Sequence, residues 1–247
     1  MYAEETKIYY ALLIGIPVLL VLMTYFLVMI FRYHRRIKAG RLERIGEDMN
    51  AMERERDRIA LDLHDDFASS LATLRMDVGR LIAPGEKNYD KVQDIKLQVD
   101  NMVDRMKRLA NGLMPRELSR RGLRKALELL VARVTTASGI RIDYTNTLQG
   151  ADKKKSLHIY RIIQEVLNNV ARHSEATLVS FDIGRSRGKI HFKISDNGKG
   201  FNIKAGSAKG GAGLYNISAR TQLMQGNVYI TSFVNEGTTY EFEIPDK

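Results

Sequence analysis

Four short stretches of this 247-residue chain carry residue types that can do chemistry. The first is His64-Asp65-Asp66. A neutral imidazole has a lone pair on one ring nitrogen, and a neighbouring carboxylate can hold the proton on the other, which makes the ring a nucleophile. A lone histidine on a charged helix is more often solvated surface, so this stretch decides nothing by itself. The second is the set Glu165, Asn169 and Arg172. On a helix the i to i+4 spacing stacks Glu165 and Asn169 one turn apart, and an amide oxygen flanked by a carboxylate and a cation suits Mg²⁺. The third is Ser195-Asp196-Asn197-Gly198-Lys199-Gly200-Phe201, where a carboxylate can accept from an exocyclic amine and glycines let a flat base come close. The fourth is Lys209-Gly210-Gly211-Ala212-Gly213-Leu214. Backbone N–H groups of a Gly-rich helix N-terminus cradle phosphate. Each motif alone is weak; three nucleotide-type motifs in this order are specific.

The elements that position them follow from hydrophobic periodicity. Alternating runs at 140–144, 178–183, 189–195, 227–233 and 238–244 read as strands. A helix over 157–172 turns Ile162, Ile163, Val166, Leu167 and Val170 inward and carries Glu165, Asn169 and Arg172 on its other face. Together these predict an α/β two-layer sandwich over 126–247.

Upstream the pattern is helical. Leu42, Ile45, Met49, Met52, Ile59 and Leu63 fall at heptad steps with Arg56 interrupting, which predicts a two-stranded coiled coil over 32–58. At Leu63, Phe67 and Leu71 two successive steps of four form a stutter, which unwinds the coil and widens its apolar face beside His64. Leu74, Val78 and Leu81 continue the helix to a Pro84-Gly85 turn, and a second helix carries Val92, Ile95, Val99, Met102, Met106, Leu109 and Leu113. A hairpin over 59–125 with one apolar stripe per helix is marginal alone, so two copies closing into a four-helix bundle, a homodimer, are expected.

Residues 8–31 contain no charged side chain. A helix of that length reaches roughly 36 Å, enough to span a bilayer. Glu4 and Glu5 in the leader and the length of the run argue against a cleaved signal peptide. Lys7 precedes the span and six Lys/Arg between Arg32 and Arg44 follow it, so the C-terminal part is expected in the cytoplasm. Residues 1–7 would form a short extracytoplasmic tail with no sensory domain, and input would come from a partner protein, the bilayer or the cytoplasmic side.

The net charge of +10 is concentrated at 32–44 and 104–125, with local excesses of +5 and +6. The first stretch abuts the expected membrane span, and the second lacks the aromatics that stack on bases, so direct nucleic-acid binding is not expected. There is no cysteine, which excludes disulfides and thiolate metal sites.

The residues from Glu55 to Asp66, those from Gln164 to His173, the Asp196–Phe201 run and Gly211-Ala212-Gly213-Leu214 resemble the phosphoacceptor, N, G1 and G2 boxes of two-component sensor histidine kinases. More narrowly, they resemble the subfamily with a short dimerisation domain that pairs with LuxR-type response regulators. The resemblance covers about residues 50–247. It implies a Bergerat (GHKL) ATP-binding fold, ATP and Mg²⁺ as cofactors, and phosphoryl transfer to His64 and then to an aspartate of a regulator with DNA-binding output. It implies Asp65 as the orienting acid, Asn169 as the Mg²⁺ ligand with Glu165 beside it, and Arg172 and His173 as phosphate contacts. Asp196 would meet adenine, with Gly198, Gly200, Gly211, Gly213 and Leu214 shaping the pocket. Where the family often has a water-positioning residue five places after the phosphoacceptor, this chain has Ser69; that bears on phosphatase action and not on transfer to His64. The segment between Phe201 and Gly210 reads as a short lid. The alternative reading is a membrane-tethered ATP-binding scaffold in which His64 stays inert.

Overall fold

The structure, a computed structural model, describes residues 2–62, 67–80, 89–113, 116–202 and 212–246; within the helices, the side chains of 2–16, 18, 38–39, 68–69, 105, 107–113 and 116 lie outside that set. His64, Asp65, Asp66, the stutter at Leu63, the Pro84-Gly85 turn, most of the expected lid and Gly211 therefore fall outside the described residues. The chain divides into two compact units, residues 1–48 and 49–247.

Helix α1 spans Tyr2–Asp62 and contains Pro17. From Leu19 to Phe31 every side chain is exposed, and all are uncharged. Among the described residues no helix is long and apolar enough to cross a membrane; the side chains of 8–16 and Val18, much of the expected span, are not among them.

Helices α2 (Ala68–Arg80) and α3 (Tyr89–Leu113) pack against each other. Val78, Val92 and Val99 are buried, as the heptad pattern requires of an inward stripe. Leu74, Ile95 and Met102, members of the same expected stripes, stay 49%, 44% and 56% exposed. The hairpin thus covers only part of its apolar surface.

Helix α4 (Arg116–Ser138) is two helical pieces that meet at Gly122. It leads into β1 (Arg141–Asn146), α5 (Lys153–Asn169), a π-turn at Val170–Ser174, β2 (Leu178–Ser186), β3 (Lys189–Asp196), α6 (Ala212–Leu223), β4 (Asn227–Phe233) and β5 (Gly237–Pro245). The five strands form one sheet in the order β1-β2-β3-β5-β4, with β1 parallel to β2 and the other pairs antiparallel. Helix α5 packs between α4 and α6. The core joins Ile159, Ile163 and Val166 of α5 to Phe181, Ile194 and Phe242 of the sheet. Leu123 and the half-buried Leu118, upstream of the expected start at 126, pack into the same core. The opposite sheet face is polar and carries the cross-strand pairs Lys193–Glu241 and Lys189–Glu243, as alternation in a one-face-buried antiparallel sheet dictates.

Candidate functional site

Helix α5 starts where Asp152 caps it, accepting hydrogen bonds from Lys154 N (2.9 Å) and Lys155 N (3.2 Å). Ile159, Ile162, Ile163, Val166 and Leu167 are fully or almost fully buried along one face. That leaves Glu165 and Asn169 half-buried at its margin, one turn apart. The expected helix to Arg172 is corrected at this point: α-helical bonding stops at Asn169 and the π-turn Val170–Ser174 takes over. Ser174 Oγ donates back to the Val170 carbonyl (2.8 Å) and accepts from Ala176 N (3.1 Å), which ends the turn and aims the chain at β2. Arg172 and His173 consequently sit exposed on that turn and do not continue the Glu165–Asn169 row. Wider turns of this kind are frequent at functional sites.

Asp196 ends β3 and is 8% exposed. Its Oδ1 accepts from Gly198 N at 2.9 Å, and the Thr238 backbone also donates to its carboxylate. Burial raises its pKa above the ordinary carboxylate value, while these two N–H groups act in the opposite direction. An ionised carboxyl offers about four lone-pair sites, so acceptor capacity remains for a ligand's amine. Tyr240, on β5, is 3% exposed. Burial, then the charges of Asp196 and Glu165, push its phenol up to about 12. One tyrosine therefore feels both ends of the site.

The loop after Asp196 is held on both sides. Asn197 Oδ1 accepts from Thr177 N and Leu178 N, each at 3.0 Å. Lys199 N donates to the Ser174 carbonyl (2.7 Å), and Phe201 N donates to Ser232 Oγ (2.9 Å). Gly200 has φ +55°, and a Cβ there would run into the Phe233 carbonyl, so only glycine fits.

At the start of α6, Gly213 faces α5. A Cβ at this position would overlap Glu165 Oε1 and lie 3.4 Å from Asn169 Nδ2. Leu214 next to it is half-buried and packs on the core. The first N–H groups of a helix have no intrahelical partner, so the N-terminus of α6 opens its donors beside the Glu165–Asn169 pair.

The fold thus brings Glu165, Asn169, Gly213 and Leu214 together, and holds Asp196, Gly198 and Gly200 in one braced loop. The cradle that a Gly213 Cβ would fill leaves room for phosphate, and the Asn169 amide beside the Glu165 carboxylate offers the oxygen donors that Mg²⁺ prefers. Among the described residues no group of three His, Cys, Asp or Glu side chains is placed to hold a metal. A cation here would need phosphate oxygens to complete its shell.

Sequence reasoning missed Tyr240, although alternation in the 238–244 run turns that tyrosine inward. It also missed a buried ion cluster. Arg161 and Arg220, with side chains 2% and 4% exposed, both meet Glu53 of α1. The signal for Arg161 was a charged residue inside the apolar run Tyr160-Arg161-Ile162-Ile163.

Residues 154–247 match the family described as histidine kinase-, DNA gyrase B-, and HSP90-like ATPase. Residues 55–118 match a family described as histidine kinase. The chain is 33% identical over 250 residues to the sensor histidine kinase MctS of Rhizobium johnstonii, covering 94% of this chain and 52% of that protein. It is 28% identical over 204 residues to the oxygen sensor histidine kinase NreB of Staphylococcus carnosus, covering 80% and 58%. The chain spans about half the length of these curated relatives. Among solved structures, the histidine kinase domain of a blue-light activated histidine kinase from Erythrobacter litoralis is similar over 73% of this chain and 94% of that one, at 16% identity and a TM-score of 0.48.

Proposed function

This chain belongs to the sensor histidine kinases, and from that premise we propose that it autophosphorylates His64 with ATP and passes the phosphoryl group to a response regulator. The observation that carries the reading is the packing of Gly213 onto Glu165 and Asn169, at a helix N-terminus, in the same chain as His64-Asp65. A glycine at this helix N-terminus leaves open space beside two polar side chains, which is what a bound phosphate with its cation requires.

Asp196 accepts from the adenine amine, and the α6 N-terminus donates to the phosphates. Asn169, with Glu165 beside it, is the residue that would hold Mg²⁺, which when bound neutralises phosphate charge. Asp65 keeps the proton on one nitrogen of the His64 ring. The other nitrogen's lone pair forms the bond to the γ-phosphorus as the bond to the bridging β–γ oxygen breaks and ADP leaves. Transfer onward breaks that P–N bond and forms a P–O bond to an aspartate carboxylate of the regulator, of LuxR type on the subfamily resemblance. Arg172 and His173, exposed on the π-turn, are the residues free to contact phosphate from solvent.

The unit works as a homodimer on the membrane. Exposure of Leu74, Ile95 and Met102 supports a second copy closing the bundle. The exposed uncharged run Leu19–Phe31 followed by basic residues supports an anchor with the C-terminal domains in the cytoplasm.

The test is incubation of the full chain with Mg·ATP labelled on the γ-phosphate, beside His64→Gln and Asn169→Asp. Acid-labile, alkali-stable label is expected on the unmodified chain alone. Nucleotide binding without any label would instead support the inert scaffold, and label retained on His64→Gln would move the acceptor elsewhere.

A further inference from the structure

Ser174 is 9% exposed and closes the π-turn that carries Arg172 and His173. Its hydroxyl works in two directions. It donates to the Val170 carbonyl four residues back (2.8 Å) and accepts from Ala176 N two residues on (3.1 Å). The second bond makes a turn in which a side chain replaces a backbone acceptor. Glu175, the residue inside that turn, has φ 57° and ψ 24°. A side chain disfavours this left-handed conformation, which persists where the surroundings hold it. The Ser174 hydroxyl is such a hold. The peptide between Ser174 and Glu175 lies within the same turn, so the hydroxyl also sets where the Ser174 carbonyl points.

That carbonyl points at the loop after β3. It accepts from Lys199 N at 2.7 Å. Gly198 lies against it: a Cβ there would overlap the Ser174 carbonyl and side chain, and would also come within 2.8 Å of Asp196 Oδ1. Gly198 N donates to the same Oδ1 at 2.9 Å. One glycine thus separates the carboxylate proposed to meet adenine from the turn proposed to meet phosphate. The two sides are not equally supported. Asp196 is also held by strand β3 and the Thr238 backbone N–H, and Asn197 Oδ1 is anchored on Thr177 N and Leu178 N. Removing the Ser174 hydroxyl leaves all of those contacts in place and releases the turn.

We propose that Ser174 is a positioning residue for the nucleotide, holding the Arg172–His173 turn at a fixed offset from Asp196. A ligand that spans both sides then meets a second contact already in register, and ordering that contact costs little on binding. A ligand that reaches only Asp196 gains nothing from the hydroxyl. This deepens the kinase reading above and rests on it.

The test compares two probes on the full chain: a non-hydrolysable ATP analogue by direct titration, and adenosine by displacement of a fluorescent ATP analogue. Ser174→Ala is expected to weaken the ATP analogue about tenfold and adenosine less than twofold. With Arg172→Ala and His173→Ala already in place, adding Ser174→Ala should cost the ATP analogue less than twofold, because the groups it positions are gone. Should Ser174→Ala fail to fold, as read by its melting temperature, Ser174→Cys takes its place. It keeps the shape with weaker hydrogen bonds, and the same split between the probes is expected at about threefold. Equal losses for both probes, no loss for the ATP analogue, or an undiminished loss in the Arg172→Ala, His173→Ala background overturns the positioning role. An unmodified chain that binds neither probe overturns the kinase reading itself, and the role of Ser174 with it.

Discussion

Gly213, at the start of α6, lies so close to Glu165 of α5 that a single added methyl would overlap the Glu165 carboxylate. The α6 N-terminus and the Glu165 side chain of α5 thereby share one small space, and the proposed nucleotide site lies where these two helices meet.

Gly213→Ala puts a methyl where the Glu165 carboxylate lies, so that carboxylate must turn away from the α6 N-terminus. Affinity for ATP is expected to fall about tenfold, a change of roughly 1.4 kcal/mol, as read by titration with a fluorescent ATP analogue. Wild-type affinity in a folded Gly213→Ala chain would show that the space between Gly213 and Glu165 takes no part in nucleotide binding.

Asp196→Asn separates binding from stability. The pKa of Asp196 is raised in the folded chain by burial, so the folded state favours the protonated form. Its ionisation therefore costs stability as pH rises from the ordinary aspartate value of 3.8 through the higher folded value. Asparagine removes that buried charge and can still accept from Gly198 N. The expected result is a melting temperature at neutral pH equal to or above the parent's, with nucleotide binding reduced about a hundredfold, consistent with losing a buried hydrogen bond that fixes ligand orientation. A lower melting temperature with binding intact would assign Asp196 a purely structural part.

Leu74→Glu or Ile95→Glu should dissociate the homodimer, measured as mass by light scattering. Exposed substitutions on a monomer usually change stability by only about 0.5 kcal/mol. A strong loss of both dimer and melting temperature is therefore expected only if a second copy covers these half-exposed side chains. A chain that is monomeric before and after substitution would remove the four-helix bundle from the account.

Most of the ATP-binding module was legible one segment at a time. Alternation at 178–183 and 189–195 placed β2 and β3 because a strand with one buried face must alternate, and Phe181, Ile190 and Ile194 are buried as that rule requires. The Glu165–Asn169 row followed from a period of 3.6. Its continuation to Arg172 failed because the π-turn widens the helix by one residue, and hydrophobic spacing over a single turn is too short to register that change. The proposed nucleophile, His64, rests on residue type, on its place beside a change of heptad phase and on the resemblance of Glu55 to Asp66 to a phosphoacceptor box, and it lies outside the described residues.

By itself the sequence determined which faces are apolar, where strands and helices run, and which residue types recur in the order of a nucleotide site. These are local properties, set by neighbours within a turn or two. Only the tertiary structure decided that Glu53 meets Arg161, 108 residues later, and Arg220, 167 residues later, or that Tyr240 feels both Asp196 and Glu165. No spacing rule links such positions. They come together because α5 and α6 pack side by side and Glu53 of α1 reaches both arginines, so the cost of burying two guanidiniums is offset by a carboxylate from a distant helix.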